Sequence, residues 1–188
     1  YYGNMSFLKA GLFYADHITT VSPNYAEEIQ TEPLGFGLQG LLAGRRQSIT
    51  GIINGIDLTE WDPAIDRKLI KNYSNKKLSD KSANKLALQH EMGLTESPDV
   101  PLLGVVSRLN HQKGTDLLLD IAPHLAALPA QLVILGNGPA ELEHKLALLA
   151  LTYPGVIAVR MGFNDRLSHL IEAGADCFLM PSRFEPCG

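Results

Sequence analysis

The sequence predicts an α/β fold with a parallel sheet covered by helices, and three observations carry that expectation. From Pro101 to the C-terminus, short apolar runs alternate with amphipathic stretches in the order βαβαβαβ. The apolar runs are hydrophobic throughout rather than at every second residue, as strands covered on both faces are. The connections are short, which suits parallel strands joined by right-handed helical crossovers.

The elements follow in order. Met5 to Tyr14 reads as a helix, with Phe7, Gly11 and Tyr14 on one face and Leu8, Leu12 and Ala15 beside it. His17 to Val21 is a short β-branched strand. Ser22-Pro23 opens a helix, Ser as N-cap and Pro in the first turn. Gly35, Gly37 and Gly40 make a loop, Leu38 to Arg46 a helical turn or two, and Ser48 to Ile53 a second strand closed by the turn dipeptide Asn54-Gly55. Asp57 to Pro98 is polar and rich in Lys and Asn; it holds the single Trp, Trp61, and one helix, Ser79 to Met92, ended by Gly93. Too few apolar positions lie there for a separate domain, so the stretch is expected to cover another surface or cross between domains. The regular part then runs through strand Leu102–Val106 and helix Thr115–Leu128, with Leu117, Leu118, Ile121, Leu125 and Leu128 toward the core. Strand Gln131–Leu135 leads to helix Glu141–Tyr153, with Leu142, Leu146, Leu149 and Tyr153 inward. Strand Val156–Met161 and helix Asp165–Ala173, capped by Asn164 and closed by Gly174, precede strand Asp176–Met180, which is expected to bury Cys177.

Composition narrows the function classes. The chain has 188 residues, a net charge of −4, 45% hydrophobic and 19% charged residues. These values exclude a disordered tail, a collagen and a coiled coil. No block of basic residues suggests a grip on nucleic acid, and no apolar run approaches the ~20 residues that cross a bilayer. Two cysteines cannot form a disulfide framework, so a reducing cytoplasm is the default expectation. The opening Tyr1-Tyr2-Gly3 carries no basic or apolar leader pattern, so no targeting segment is expected among these residues. An apolar strand ends just before Gly188 with no covering helix, so the chain is expected to be a piece of a longer protein with an exposed, aggregation-prone edge.

In open α/β sheets, ligands bind outside the carboxyl ends of the strands. Those ends carry Arg108 and Lys113, the loop Gly136-Asn137-Gly138, Gly162-Phe163, and Arg183 with Glu185. Arg108 follows a strand and Lys113-Gly114 opens a helix, whose free N–H groups and partial positive charge favour an anion. A forked guanidinium and a point-charge ammonium converging there suit a diphosphate. Both could equally be solvated loop charges. Gly136-Asn137-Gly138 is not a dinucleotide fingerprint, since Glu141 holds the third glycine place; a plain strand-to-helix turn would also use it. Phe163 is either core or a shelf for a base. Glu185 is either functional or one half of a surface ion pair with Arg183. The six His show no metal-ligand spacing, so no metal is expected. No G-x-S-x-G or P-loop occurs, and neither Cys has a His close in sequence.

Ser107-Arg108-Leu109 with Gln112-Lys113-Gly114, and Pro181-Ser182-Arg183-Phe184-Glu185-Pro186-Cys187-Gly188, resemble bacterial glycogen synthases and plant starch synthases. So do Phe7-Leu8-Lys9-Ala10-Gly11, Ala15-Asp16, Val21-Ser22-Pro23 and Asn54-Gly55-Ile56-Asp57, so the resemblance runs along nearly the whole chain. It implies a GT-B glycosyltransferase with two Rossmann-like domains: residues 1–53 the tail of the first, 54–98 the crossing and polar helical segment, and 99–188 the first half of the second, nucleotide-sugar-binding domain. It implies retaining transfer of glucose from ADP-glucose to the non-reducing end of an α-1,4-glucan, with no cofactor or metal, no nucleic acid and no membrane partner, in a bacterial cytoplasm or a plastid. Arg108 and Lys113 would hold the donor diphosphate, Gly136 and Phe163 would face the nucleotide, and Glu185 would be the first carboxylate of the family's Glu-x7-Glu motif. The second Glu of that motif, the amino-terminal glycine–lysine loop and a sugar-proximal His lie outside these residues. The chain alone is therefore expected to be inactive. The rival readings are a GT-B retaining transferase using UDP-glucose, of sucrose or trehalose type, and a non-catalytic nucleotide- or glucan-binding module.

Overall fold

The computed structural model describes residues 3–187. Its contacts divide the chain after Ile56 and again after Phe184. One unit is Asp57–Phe184; the other combines the residues before Asp57 with residues 185–187. The polar stretch that begins at Asp57 clusters with the larger unit.

In the first unit, Ser6 caps α1 (Phe7–Tyr14), its hydroxyl accepting from the Lys9 amide at 3.2 Å. Strands β1 (Ile18–Thr20) and β2 (Ile49–Gly51) pair in parallel, Ile18 beside Ile49 and Thr20 beside Gly51. Ser22 caps α2 (Pro23–Glu28) by accepting from Tyr25 N at 2.9 Å, with Pro23 in the first turn as its fixed φ favours. After α3 (Gln39–Gly44), Arg45 reaches back to the end of α1. Its guanidinium donates to the carbonyls of Leu12 (2.7 Å), Phe13 (2.9 Å) and Ala15 (2.5 Å), satisfying acceptors that a helix end leaves open. Buried apolar residues here are few: Ile18, Ala26 and Leu42.

The larger unit contains α4 (Lys81–Met92), ended by Gly93 in the left-handed conformation at φ 70°. A four-stranded parallel sheet follows: β3 (Leu102–Arg108), β4 (Gln131–Asn137), β5 (Ile157–Met161) and β6 (Cys177–Phe178), in the spatial order β5-β4-β3-β6. Helices α5 (Thr115–Ala126), α6 (Ala140–Thr152) and α7 (Asp165–Gly174) connect them. The strands are apolar throughout because each face has its own core. Val133 and Leu135 of β4 pack with Leu88, Leu167, Leu170 and Ile171 from α4 and α7. Leu132 and Ile134 pack with Leu118, Ala122 and Leu146 from α5 and α6.

Two sequence expectations are corrected. The buried apolar residues of α5 are Leu118 and Ala122, with Leu125 partly buried, whereas Leu117, Ile121 and, beyond the helix, Leu128 are exposed. The last strand is two residues long, and Cys177 is exposed, because β6 lies at the sheet edge and pairs only through Leu103–Cys177 and Gly104–Phe178.

Candidate functional site

All four strands of the larger unit run the same way, so their carboxyl ends share one edge. The register sets Arg108 beside Asn137 and Gly136 beside Met161. Leu109 N donates to Asn137 O, and Gly162 N to Gly136 O, both at 2.8 Å, continuing the ladder into the loops. Beyond β6, Leu179 N donates to Gly104 O at 2.8 Å and the chain runs on through Pro181 to Phe184.

The β3–α5 loop is folded by its own side chains. Asn110 accepts from Lys113 N through Oδ1 at 2.9 Å and from Thr115 N through its carbonyl at 3.2 Å. The resulting turn delivers Gly114 at φ 71° to the head of α5. A Cβ at Gly114 would collide with the Pro181 carbonyl, so only glycine admits the neighbouring loop. Arg183 stitches the two loops together. Its amide donates to Gln112 O at 2.8 Å, and its Nη1 donates to His111 O at 2.7 Å. Its guanidinium also grips Asp116, in the first turn of α5, two-pronged at 2.8 and 2.6 Å. That bidentate donation holds the Asp116 carboxyl below the usual aspartate range. Gln112 Nε2 completes the seam by donating to Phe184 O at 3.2 Å. Thr115 Oγ1 and Ser182 Oγ, on the same two segments, are buried without a hydrogen-bond partner.

The expected site residues divide accordingly. Arg108, the last residue of β3, is exposed and has no ion-pair partner among the described residues. Lys113 is half-buried at the approach to α5. Gly136 is buried inside β4, where a Cβ would meet the Ser107 carbonyl, so close strand packing already requires a glycine there. Phe163 stands after β5 with 86% of its surface exposed and is not core. These four share the sheet edge. Glu185 groups with the first unit, half-buried beside Pro186, whose carbonyl accepts from Ser22 Oγ at 2.8 Å. The partner of Arg183 read from sequence as Glu185 is instead Asp116, which lies 67 positions away along the chain. No local signal could have found it.

A second polar cluster escaped sequence reading. Glu60, Asp165 and His169 offer ligand atoms within 4.8 Å of one another, a set that could hold a metal ion. The ammonium of Lys68 is engaged by all three: 2.8 Å to Glu60, 2.6 Å to Asp165 and 3.0 Å to His169 Nε2. The His169 ring is buried, bonded through Nδ1 to Asp66 at 2.7 Å, and stacked on Trp61 with centroids 3.8 Å apart.

Among the described residues, no helix is long and apolar enough to cross a membrane. The chain matches the starch synthase catalytic domain family over residues 1–44 and the group 1 glycosyl transferases over residues 90–188. It is 64% identical over all 188 residues to the glycogen synthase of Nitrosomonas eutropha and 63% identical to that of Nitrosospira multiformis. It spans 38% of the length of each. Among solved structures it is similar to the catalytic domain of starch synthase IV from Arabidopsis thaliana bound to ADP and acarbose. That match has 34% identity and a TM-score of 0.90, covering 96% of this chain and 38% of the other. The architecture is the Rossmann-like α/β fold of GT-B glycosyltransferases. With just over half of its length matched by that family's model, the chain belongs to the group 1 glycosyl transferases.

Proposed function

We propose that this chain is the donor-binding portion, with an adjoining part of the acceptor-side domain, of a glycogen or starch synthase. The protein would transfer glucose, with retention, from ADP-glucose to the non-reducing end of an α-1,4-glucan. The single observation that carries this reading is the edge geometry. An exposed arginine ends β3, and five residues on a lysine precedes the glycine that opens α5. The ADP in the similar starch synthase structure supports the choice of nucleotide. A bacterial cytoplasm is the compartment that the bacterial relatives favour.

In this reading, departure of the nucleotide leaves negative charge on the diphosphate. Arg108, Lys113 and the N-terminus of α5 stabilise that charge as preorganised donors, without a metal. The buried hydroxyls of Thr115 and Ser182 have hydrogen-bonding capacity left for a polar ligand. Phe163 offers an uncovered ring on which an adenine stacks, and Gly136 keeps the backbone low beneath the nucleotide. Glu185, by the resemblance, is the carboxylate that stabilises the oxocarbenium-like carbon, as carboxylates do in glycoside chemistry. Retention without a covalent nucleophile implies attack by the acceptor hydroxyl on the face the leaving group vacates.

Calorimetric titration tests this directly. The chain binds ADP in preference to UDP, and both Arg108→Ala and Lys113→Ala weaken the binding while the circular-dichroism melt stays unchanged. In the intact synthase, Arg108→Ala lowers turnover by about 3–4 kcal/mol of barrier, the scale of losing one preorganised donor. Preference for UDP, or undiminished binding in both variants, overturns the reading.

A further inference from the structure

Phe163 has little of its own to hold it. It is 86% exposed and sits between Gly162, at φ 100°, and Asn164. Its position is set by the two ends of its loop. On one side, Gly162 is tied to β4 through Gly136. On the other, α7 begins immediately: Asn164 caps it, Oδ1 accepting from Leu167 N at 2.9 Å, and Asp165 is its first residue.

That first turn is where Lys68 acts. Its ammonium bonds Asp165 at 2.6 Å and, one turn along the same helix, His169 Nε2 at 3.0 Å. Glu60 supplies the third contact at 2.8 Å. Two of these groups are anchored from behind by Asp66. Asp66 accepts from Lys68 N with one carboxylate oxygen (2.8 Å) and from His169 Nδ1–H with the other (2.7 Å). This fixes the tautomer that presents Nε2 as an acceptor, in the manner of carboxylates that orient ligating histidines. Asp165 and Glu60 hold the Lys68 pKa above its ordinary value, and Lys68 in turn holds that of Asp165 below its own. The apolar face of α7, with Leu167, Leu170 and Ile171 buried, already secures the helix on the sheet. What the cation adds is a charged, directional contact at the point where the helix starts.

We propose that Lys68 is a positioning residue for nucleotide binding: it pins the first turn of α7 and thereby sets the Gly162-Phe163-Asn164 loop against the base. The inference rests on the donor-binding reading above, and one pair of probes separates the two. ADP carries the base, and inorganic diphosphate carries only the charge. Both are titrated calorimetrically into the 188-residue chain, alongside a thermal melt followed by circular dichroism. Lys68→Met weakens ADP roughly tenfold, the scale of a misplaced binding group, and leaves diphosphate affinity unchanged. Lys68→Arg restores most of the ADP affinity. If Lys68→Met does not fold, Asp165→Asn, which removes the ion pair but keeps the shape, shows the same selective loss. Equal loss of both probes, or ADP affinity like that of the native chain, overturns the positioning role and leaves the donor-binding reading standing. A native chain that binds neither probe overturns both.

Discussion

The two units use the same vocabulary of short parallel strands and helices, yet they are held together by different means. In Asp57–Phe184, four strands are sandwiched between two apolar clusters, and Leu102, Leu132, Val133 and Ile134 are wholly buried. In the first unit the sheet has two strands, and Phe7, Leu8, Phe13, Tyr14, Ile52 and Ile53 are all exposed. Its order depends on polar devices: the caps of Ser6 and Ser22 and the Arg45 guanidinium across the end of α1. A two-stranded sheet is marginal by itself, whereas a sheet covered on both faces is not. The difference teaches that strand–helix alternation alone does not measure stability; the area each face buries does.

The largest effect should come from the core of the larger unit. Ile134→Ala is expected to cost about 2–5 kcal/mol by leaving a cavity between β4 and its helices. Trp61, the single tryptophan, lies in that unit and reports its unfolding in denaturant. Leu42→Ala in the first unit should leave the Trp61 transition unmoved; an equal shift would break the comparison and show that the units unfold as one. Next comes Arg45→Ala, which strips the carbonyls at the end of α1 of their guanidinium partner and leaves them to water. Helicity and protease resistance should fall at residues 7–14 with no change in the Trp61 midpoint. A smaller effect is expected of Arg183→Lys, since an ammonium cannot make the two-pronged grip on Asp116. ADP affinity should drop severalfold in calorimetry with the chain still folded; full affinity would mean that the seam between the two loops has no part in binding.

The smallest effect is the acid response. The carboxyls of Asp116 and Asp165 are held low by Arg183 and Lys68 respectively. A carboxyl depressed in the folded state adds stability that is complete above the ordinary aspartate range, about pH 4, and lost as pH falls through the depressed value. Melts between pH 7 and pH 3 should therefore show the larger unit weakening at the acid end, with a shallower slope in Asp116→Asn. An unchanged slope would deny the Arg183–Asp116 pair any share.

Much of the fold was legible because its signals are local. The caps Ser22 and Asn164 and the stop at Gly93 act over three or four residues, and all three are where the sequence puts them. The continuous apolar runs of β3, β4 and β5 announce burial on both faces. Four of the five candidate residues, Arg108, Lys113, Gly136 and Phe163, stand at the strand ends as the sequence places them, since parallel strands carry their carboxyl ends to a common edge. The inward face of α5 was not. Its apolar residues encircle much of the helix, and only the surfaces opposite decide that Leu118 and Ala122 go in while Leu117 and Ile121 stay out. Cys177 misled for a related reason: an apolar run does not say whether its strand is central or at the edge.

What the sequence determined by itself is the α/β alternation, the helix boundaries and the assembly of Arg108, Lys113, Gly136 and Phe163 at one edge, because periodicity, caps and parallel connectivity are properties of neighbouring residues. The tertiary structure alone decided that Arg183 clasps Asp116, that the polar stretch from Asp57 joins the larger unit, and that Lys68 reaches the head of α7 with His169 stacked on Trp61. Those pairings span from 67 to 108 positions of chain. At such separations a charge finds its partner only after the sheet and its helices have brought the two together.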